Sequence, residues 1–326
     1  MCIARFARPL AAALTLLFAI TLCPAHAADW PEKPVRVVVP VGAGSANDIA
    51  ARTVADGLST LWNQRAVVEN FAGAGGVRGA RELVGAAPDG YTIGLIPAST
   101  LLVTPVIYTG ANLNLLRDLV PVSPVFESPM AIAAGAQTGI NSIADVVRLA
   151  KAQPGKVSIS TLPLNTAVHL AAEMFASVAG VNLMVVPYNQ PSESVLAAAR
   201  GDTQLTIGVV AAMGELAKSG RLKLLGTTLP KRLPGMNDVP AVGEAVPGFV
   251  ANSWGALFAP TGTPAAIIEK INRDVRTVLN NPELAKRFAT GGMYPVIGTS
   301  ADLAATIRAD RPGWEKIARE KGKAEP

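Results

Sequence analysis

The chain has 326 residues, half of them apolar, 16% charged and 5% aromatic, with a formal charge of +5. That length is enough for two domains with substantial cores, and a basic excess this mild, with no Lys/Arg cluster, excludes a nucleic-acid patch. Cys2 and Cys23 both fall in the first 27 residues, so the chain beyond them has no disulfide, cysteine–zinc site or thiol chemistry.

Arg5 and Arg8 precede an apolar run from Leu10 to Leu22, and Ala25-His26-Ala27 follows. This reads as a secretory signal cut after Ala27. The run is short for a membrane anchor, and Leu22 stands where a lipoprotein signal would need a small residue before Cys23. Cleavage removes Arg5 and Arg8 and no acid, lowering the formal charge from +5 to +3. The remainder is expected to be soluble and periplasmic.

Strand-like apolar runs then alternate with helical patterns. The strands are VRVVV (35–39), AVVE (66–69), YTIGLI (91–96), VSIS (157–160), LMVV (183–186), LTIGVV (205–210), LKLLG (222–226) and WGALF (254–258). Helical spacing marks 48–62, 77–87, 142–152, 167–180 and 264–280. Continuous apolar strands separated by helices imply parallel sheets covered on both faces. Such sheets bind ligands beyond the C-terminal ends of their strands. Two turns occupy such ends: PVGAGSAND (40–48), where Asn47 and Asp48 can cap the next helix, and FAGAGG (71–76). The glycines of the second suit either an anion cradled by backbone N–H groups or a tight turn with no ligand. The Pro-rich stretch 120–129 reads as a crossing between lobes and 247–264 as the return. They divide the chain into a discontinuous first lobe, 28–125 plus 252–326, and a continuous second lobe, 126–251.

The inventory for catalysis is nearly empty. A dinucleotide fingerprint starting at Gly73 would need glycine where Arg78 stands, and no G-K-[ST] of a P-loop follows. ANSWG (251–255) resembles a nucleophile elbow around Ser253, but no histidine follows His169. His169 is the only imidazole beyond the signal, which excludes multi-histidine metal sites; in AVHLAAEMF it reads as a packed or capping residue. No catalytic residue, metal or cofactor is expected. The chain reads as a binder, with an α/β enzyme as the remote alternative.

In chain order, WPEKPVRVVVP (30–40), AVVENFAGAGG (66–76), AAPDGYT (86–92), AVHLAAEMF (167–175), VPY (186–188) and SWGALFAPTGTP (253–264) resemble the Bug, or TctC-type, family: periplasmic solute-binding receptors of tripartite tricarboxylate transporters. The likeness covers essentially the whole chain beyond the signal. It implies a type II-like periplasmic-binding-protein fold, in which two α/β lobes, each a mainly parallel sheet flanked by helices, enclose a cleft. It also implies a monomer that passes a small organic acid to membrane permease subunits. A periplasmic sensor for the same kind of ligand is the alternative, since its binding physics would be identical.

The resemblance carries site residues with it. Ala74, Gly75 and Gly76 match an amide-donating turn that holds a carboxylate. Gly44, Ser45 and Asn47 fall where the family's first turn faces the cleft, although Gly42-Ala43-Gly44-Ser45 replaces the usual Pro-Pro-Gly-Gly. Ser99 and Thr100 match a hydroxyl pair, or cap a helix. Thr161, Asn165 and Thr166 lie on the second-lobe turn, where Pro163 and Asn165 replace glycines and should stiffen it. Tyr188 matches a cleft-wall tyrosine, or is buried structure. Gly208 stands where many relatives have an acidic residue. With no carboxylate there, a ligand ammonium would be buried unpaired. A non-cationic acid is therefore expected, with room for an aromatic body.

Overall fold

The computed structural model describes residues 30–233 and 235–322; the expected signal lies outside them. The β-branched runs form β1 Val35–Val39, β2 Ala66–Asn70, β3 Thr92–Pro97, β4 Leu119–Glu127, β5 Met130–Gly135, β6 Ser158–Thr161, β7 Met184–Pro187, β8 Leu205–Val209, β9 Leu222–Thr227, β10 Trp254–Pro260 and β11 Tyr294–Pro295. They build a six-stranded sheet ordered β11-β4-β10-β3-β1-β2 and a five-stranded sheet ordered β7-β6-β8-β5-β9. Helices cover both sheets, giving the two-lobed α/β architecture of periplasmic binding proteins.

Most strands of each sheet run one way, but the ladders are mixed. In the first sheet β10 pairs antiparallel with both β3 and β4; in the second, β5 pairs antiparallel with both β8 and β9. These reversed strands are the ones that enter a sheet from the other sheet. β4 ends at Glu127 and β5 starts at Met130. A chain leaving one sheet at its C-terminal edge and entering its neighbour at the facing edge must run against the strands already there. The two crossings are joined where the Ser128 N–H donates to Ser253 O at 2.7 Å, and the return is also tied to the end of β9, where the Ala251 N–H donates to Thr228 O at 3.0 Å.

The Pro-rich stretch expected as the crossing between lobes is largely β4 itself, lodged inside the first sheet, with the passage to β5 at its end. Proline lacks the N–H a central strand donates, so it is tolerated where the ladder is interrupted. Against β10 the register slips twice, with Ala256 opposite Pro124 and Phe258 opposite Pro121. The slips leave Val122 and Val125 as the extra residues of two bulges. Their carbonyls are taken up elsewhere: Val122 O accepts from the buried Asn272 side chain at 3.0 Å, and Val125 O from the Val296 amide at 3.0 Å. Asn272 also donates to Gly298 O at 3.0 Å.

Two large apolar clusters fill most of the interior, and a smaller one packs around Val195 and Met213 in the second lobe. One lies in the first sheet around Val37, Leu95 and Phe288. The other runs from the first sheet into the second through the last helix, Ser300–Lys321, whose Trp314 and Ile317 are buried in it. That helix starts against β4, where the Ser300 hydroxyl donates to Pro121 O at 2.5 Å. It ends on the helix Ala167–Ala179, where Lys321 lies 3.4 Å from Glu173.

Replacing Asn272 with leucine is expected to leave the Val122 and Gly298 carbonyls buried without a donor, at a cost of about 1–3 kcal/mol. Urea unfolding monitored by circular dichroism measures the loss.

Candidate ligand-binding site

The turn after β1 is organised by a buried carboxylate. Asp48 is 3% exposed. Its oxygens accept from the Gly44 amide at 2.8 Å, from Arg52 Nε at 3.1 Å and from Asn70 Nδ2 at 2.9 Å. Asn70 also donates to Val41 O at 3.1 Å, so the side chain at the end of β2 fixes the turn after β1. The helix α1, Ala46–Trp62, is capped by Ser45, whose hydroxyl accepts the Asp48 amide at 3.3 Å. The cap is thus Ser45 rather than Asn47 or Asp48. Asp48 instead sits in the first turn, where a negative charge meets the positive end of the helix dipole. Burial pushes the Asp48 carboxyl up, but the hydrogen bonds from Arg52, Gly44 and Asn70, with the Arg52 charge, outweigh it and hold the group below its ordinary value.

These bonds change what the first turn can offer a ligand. The Gly44 N–H, expected to face the cleft, is already given to Asp48. Asn47 turns inward: its Oδ1 is buried without a partner among the described residues, beside Gly255, where an added Cβ would meet that oxygen at 2.9 Å.

The second turn keeps its donors in part. Gly73–Gly76 closes as a 3-10 turn, in which the Gly76 amide donates to Gly73 O at 2.9 Å and the Val77 amide to Ala74 O. Gly76 therefore spends its N–H on the turn, while the amides of Ala74 and Gly75 have no acceptor among the described residues. Gly75 has φ +61°, and a Cβ there would lie 2.6 Å from the Tyr108 ring. Its glycine identity is required by backbone and space alike, so a side chain at this position tests folding as much as binding. Ala74 adopts φ +47° without that freedom.

The Gly75 carbonyl is held from the other side. Thr104 donates to it at 2.6 Å and Thr100 at 3.4 Å. Both lie on the short helices that follow β3, α3 Ala98–Leu102 and α4 Thr104–Ile107. Thr100, Thr104 and Tyr108 recur at a spacing of four, one face of a helix. The Ser99 hydroxyl has no protein partner among the described residues.

Across from them, the loop after β6 carries Pro163, Leu164 and Asn165, with Asn165 left-handed at φ +64°. Thr166 caps the helix Ala167–Ala179, accepting the His169 amide at 3.2 Å and donating its hydroxyl to Pro163 O at 2.8 Å. His169 is 4% exposed within that helix, as its packed or capping reading implied.

A cavity of about 270 Å³ separates the two groups. It is lined by Gly75, Ser99 and Thr100 from the first sheet's side and by Asn165 and Thr166 from the second. Of the remaining expected residues, Ala74 and Gly76 flank Gly75 in its turn. Gly44, Ser45 and Asn47 do not line the cavity. Thr161 is fully buried at the end of β6, donating to Leu162 O at 3.0 Å. Tyr188 is half-buried beyond β7, with its amide on Thr161 O at 2.9 Å, and its side chain does not line the cavity. Gly208 borders a separate hollow of about 30 Å³ lined by second-lobe residues and does not line this cavity. The residues that sequence reasoning missed are Val41, Val103, Thr104, Ile107, Tyr108, Pro163 and Leu164. The periodicity from Thr100 to Tyr108 was the available signal.

Larger hollows lie elsewhere, one of about 370 Å³ beside the last helix and an open groove of about 540 Å³ near Asp56 and Arg287. The first is lined from both lobes, by Met174, Val178 and Gly248 on one side and Asp310, Pro312 and Lys316 on the other; neither is lined by the Gly-rich turn after β2.

Two carboxyls sit at the crossing between sheets. Glu127, the last residue of β4, is pushed up by burial. Asp310 is pushed up by burial as well, partly offset by the Trp254 indole N–H, which donates to it at 2.8 Å.

The chain belongs to the tripartite tricarboxylate transporter receptor family: the family's model, described as "Tripartite tricarboxylate transporter family receptor", matches residues 50–323. BugT of Bordetella pertussis is 31% identical over 301 residues, covering 92% of each chain. Among solved structures, R. palustris Rpa4515 with adipate superposes with a TM-score of 0.72 at 28% identity, over 90% of this chain and 99% of that one. A TctC solute-binding protein from Polaromonas shares the fold, with a TM-score of 0.81 at 21% identity over 89% of this chain and 99% of that one. The family is one of solute-binding receptors. No helix among the described residues is long and apolar enough to cross a membrane.

The two kinds of buried carboxyl are expected to respond to pH with opposite sign. Asp48 is depressed in the folded state, so its contribution is present above the unfolded value of 3.8 and is lost as pH falls through the folded value. Asp48→Ala should cost about 1–3 kcal/mol at pH 7 and progressively less in acid. Glu127 is raised in the folded state, so its stabilising contribution is complete below the unfolded value of 4.5 and is lost as pH rises through the folded value. Glu127→Gln should therefore raise the melting temperature at pH 7 and change it little at pH 4. Thermal unfolding of both variants across this range checks the two signs.

Proposed function

We propose that the protein is an extracytoplasmic receptor that captures a small organic carboxylate between its lobes and delivers it to the membrane subunits of a tripartite tricarboxylate-type permease. In this reading it is a monomeric binder rather than an enzyme. It reaches the periplasm by cleavage after Ala27, and its lobes are 28–125 plus 252–326 and 126–251. The observation that carries the proposal is the cavity lined from both lobes, at which Ser99 and Gly75 keep donors that have no acceptor among the described residues, with the Ala74 amide beside Gly75 in the same turn. Donors of this kind suit a carboxylate group, and charge-assisted hydrogen bonds from them need no lysine or arginine. The adipate held by the R. palustris relative supports a carboxylate. No acidic side chain lines the cavity, which supports a non-cationic ligand independently of Gly208.

A carboxylate bridging the lobes stabilises the closed arrangement by touching both at once. A thermal-shift screen of organic acids is expected to find stabilising ligands, and solution scattering with a saturating ligand should show a smaller radius of gyration. Ser99→Ala is the clean variant, because that hydroxyl supports no other part of the fold. It should leave the melting temperature of the free protein unchanged and weaken binding by about 10–100-fold, one hydrogen bond to a charged group. Unaltered affinity would remove Ser99 from the site, and a screen without any stabilising acid would sink the carboxylate reading.

A further inference from the structure

The hollow of about 370 Å³ beside the last helix is built differently from the cavity at Gly75. One wall is a single stripe of that helix: Ala309 and Asp310, Pro312 and Gly313, Lys316 and Ile317 recur at spacings of three and four. The facing wall is apolar, with Met174 and Val178 of the helix Ala167–Ala179 and Pro230 and Val250 beyond it. Proline and glycine are the two residues least suited to a helix interior, yet they stand side by side in the middle of Ser300–Lys321. At Gly313 the missing side chain is part of the hollow, for the nearest side chain to a Cβ placed there is Met174, at 3.6 Å.

Asp310 differs from the other acids of this helix. Asp302 is bonded to the Thr299 cap, Glu315 pairs with Arg311 and Arg319, and Glu320 lies 4.0 Å from the Lys316 ammonium. Asp310 has the Trp254 indole at 2.8 Å and no cation among the described residues. Burial pushes its carboxyl up, and a positive charge brought beside it would offset that penalty.

We infer that this hollow is a second ligand site, for a small organic cation: an ammonium group on Asp310 carrying an apolar body that lies against Met174, Val250 and Ile317. An anionic group would face the Asp310 charge, and a second ammonium would be desolvated among apolar side chains or meet Lys316. The volume falls within the range that small-molecule ligands fill. Met174 and Val178 lie about 12–18 Å along their helix from Thr166, at 1.5 Å per residue. The two sites are therefore separate, and this one stands whatever the first one holds.

Cyclohexylammonium and cyclohexanol share one ring and differ in charge. Isothermal titration of the purified protein at neutral pH is expected to give the amine a dissociation constant at least about tenfold below that of the alcohol. Asp310→Asn keeps an oxygen for the Trp254 indole, so it should fold normally and bring the amine to within about threefold of the alcohol. Gly313→Leu, which fills the hollow, should abolish binding of both; Val178→Trp, on the more exposed facing wall, makes the same test where Gly313→Leu does not fold. Equal affinity for amine and alcohol would overturn the cation, and an amine affinity unaltered by Asp310→Asn would remove Asp310. Absence of amine binding up to about 10 mM, or binding undiminished in the folded filling variant, would overturn the site.

Discussion

The carboxylate of Asp48 is the point on which the first lobe's ligand edge depends. It is buried, and a buried charge is tolerated only where its lone pairs are satisfied. Here it gathers the Gly44 amide, the Arg52 guanidinium and the Asn70 amide group. Through Asn70 it ties the end of β2 to the turn after β1. The consequence reaches beyond stability. Because Asp48 takes the Gly44 N–H, that amide is not left for a ligand. Asn70 stands within the ENFAGAGG stretch, so one part of that motif fixes the neighbouring turn while the glycines shape their own.

The crossing of the chain between sheets sets the second constraint. β5 and β10 run against their neighbours because each enters its sheet from the facing edge. This places the C-terminal ends of both sets of parallel strands toward one another, and with them the turns that line the cavity. The connections are short and hydrogen-bonded to each other, and the last helix spans from β4 to the helix Ala167–Ala179. Such an arrangement concentrates bending in few residues, as hinge closure requires. The raised carboxyls of Glu127 and Asp310 lie at this crossing, where burial works against charge.

A cavity lined by hydroxyls, amides and apolar side chains, with no fixed charge, also suits a protein that must let go of what it holds. Hydrogen bonds to an anion give orientation and moderate strength, whereas a buried guanidinium paired bidentately with a carboxylate is stronger and more exacting. The held carbonyl of Gly75 shows how the hydroxyls contribute indirectly: Thr100 and Thr104 orient the peptide, and the turn's free amides then point where they do.

The sequence by itself determined the elements whose signal is local. Apolar β-branched runs marked eight of the strands, and the spacing of ENFAGAGG and APDGYT marked the family. It read 120–129 as a crossing between lobes, and the chain does pass from one sheet to the other there. It did not show the strand that fills most of the stretch, because proline argues against a strand unless bulges supply the missing room, and bulges depend on a partner, β10, more than a hundred residues away. It placed Gly75, Ser99, Thr100, Asn165 and Thr166 near a ligand, and the fold brings these five to one cavity. It also offered Gly44, Asn47, Thr161, Tyr188 and Gly208, which the fold directs elsewhere. The difference is one of commitment. A sequence shows which residues can donate a hydrogen bond, but whether Gly44 still has its N–H to give was decided by Asp48 and Asn70, brought beside it only when the sheet closed. Likewise Leu164 reads as one more apolar residue in a loop. Only the fold brings it to the same cavity as Ile107.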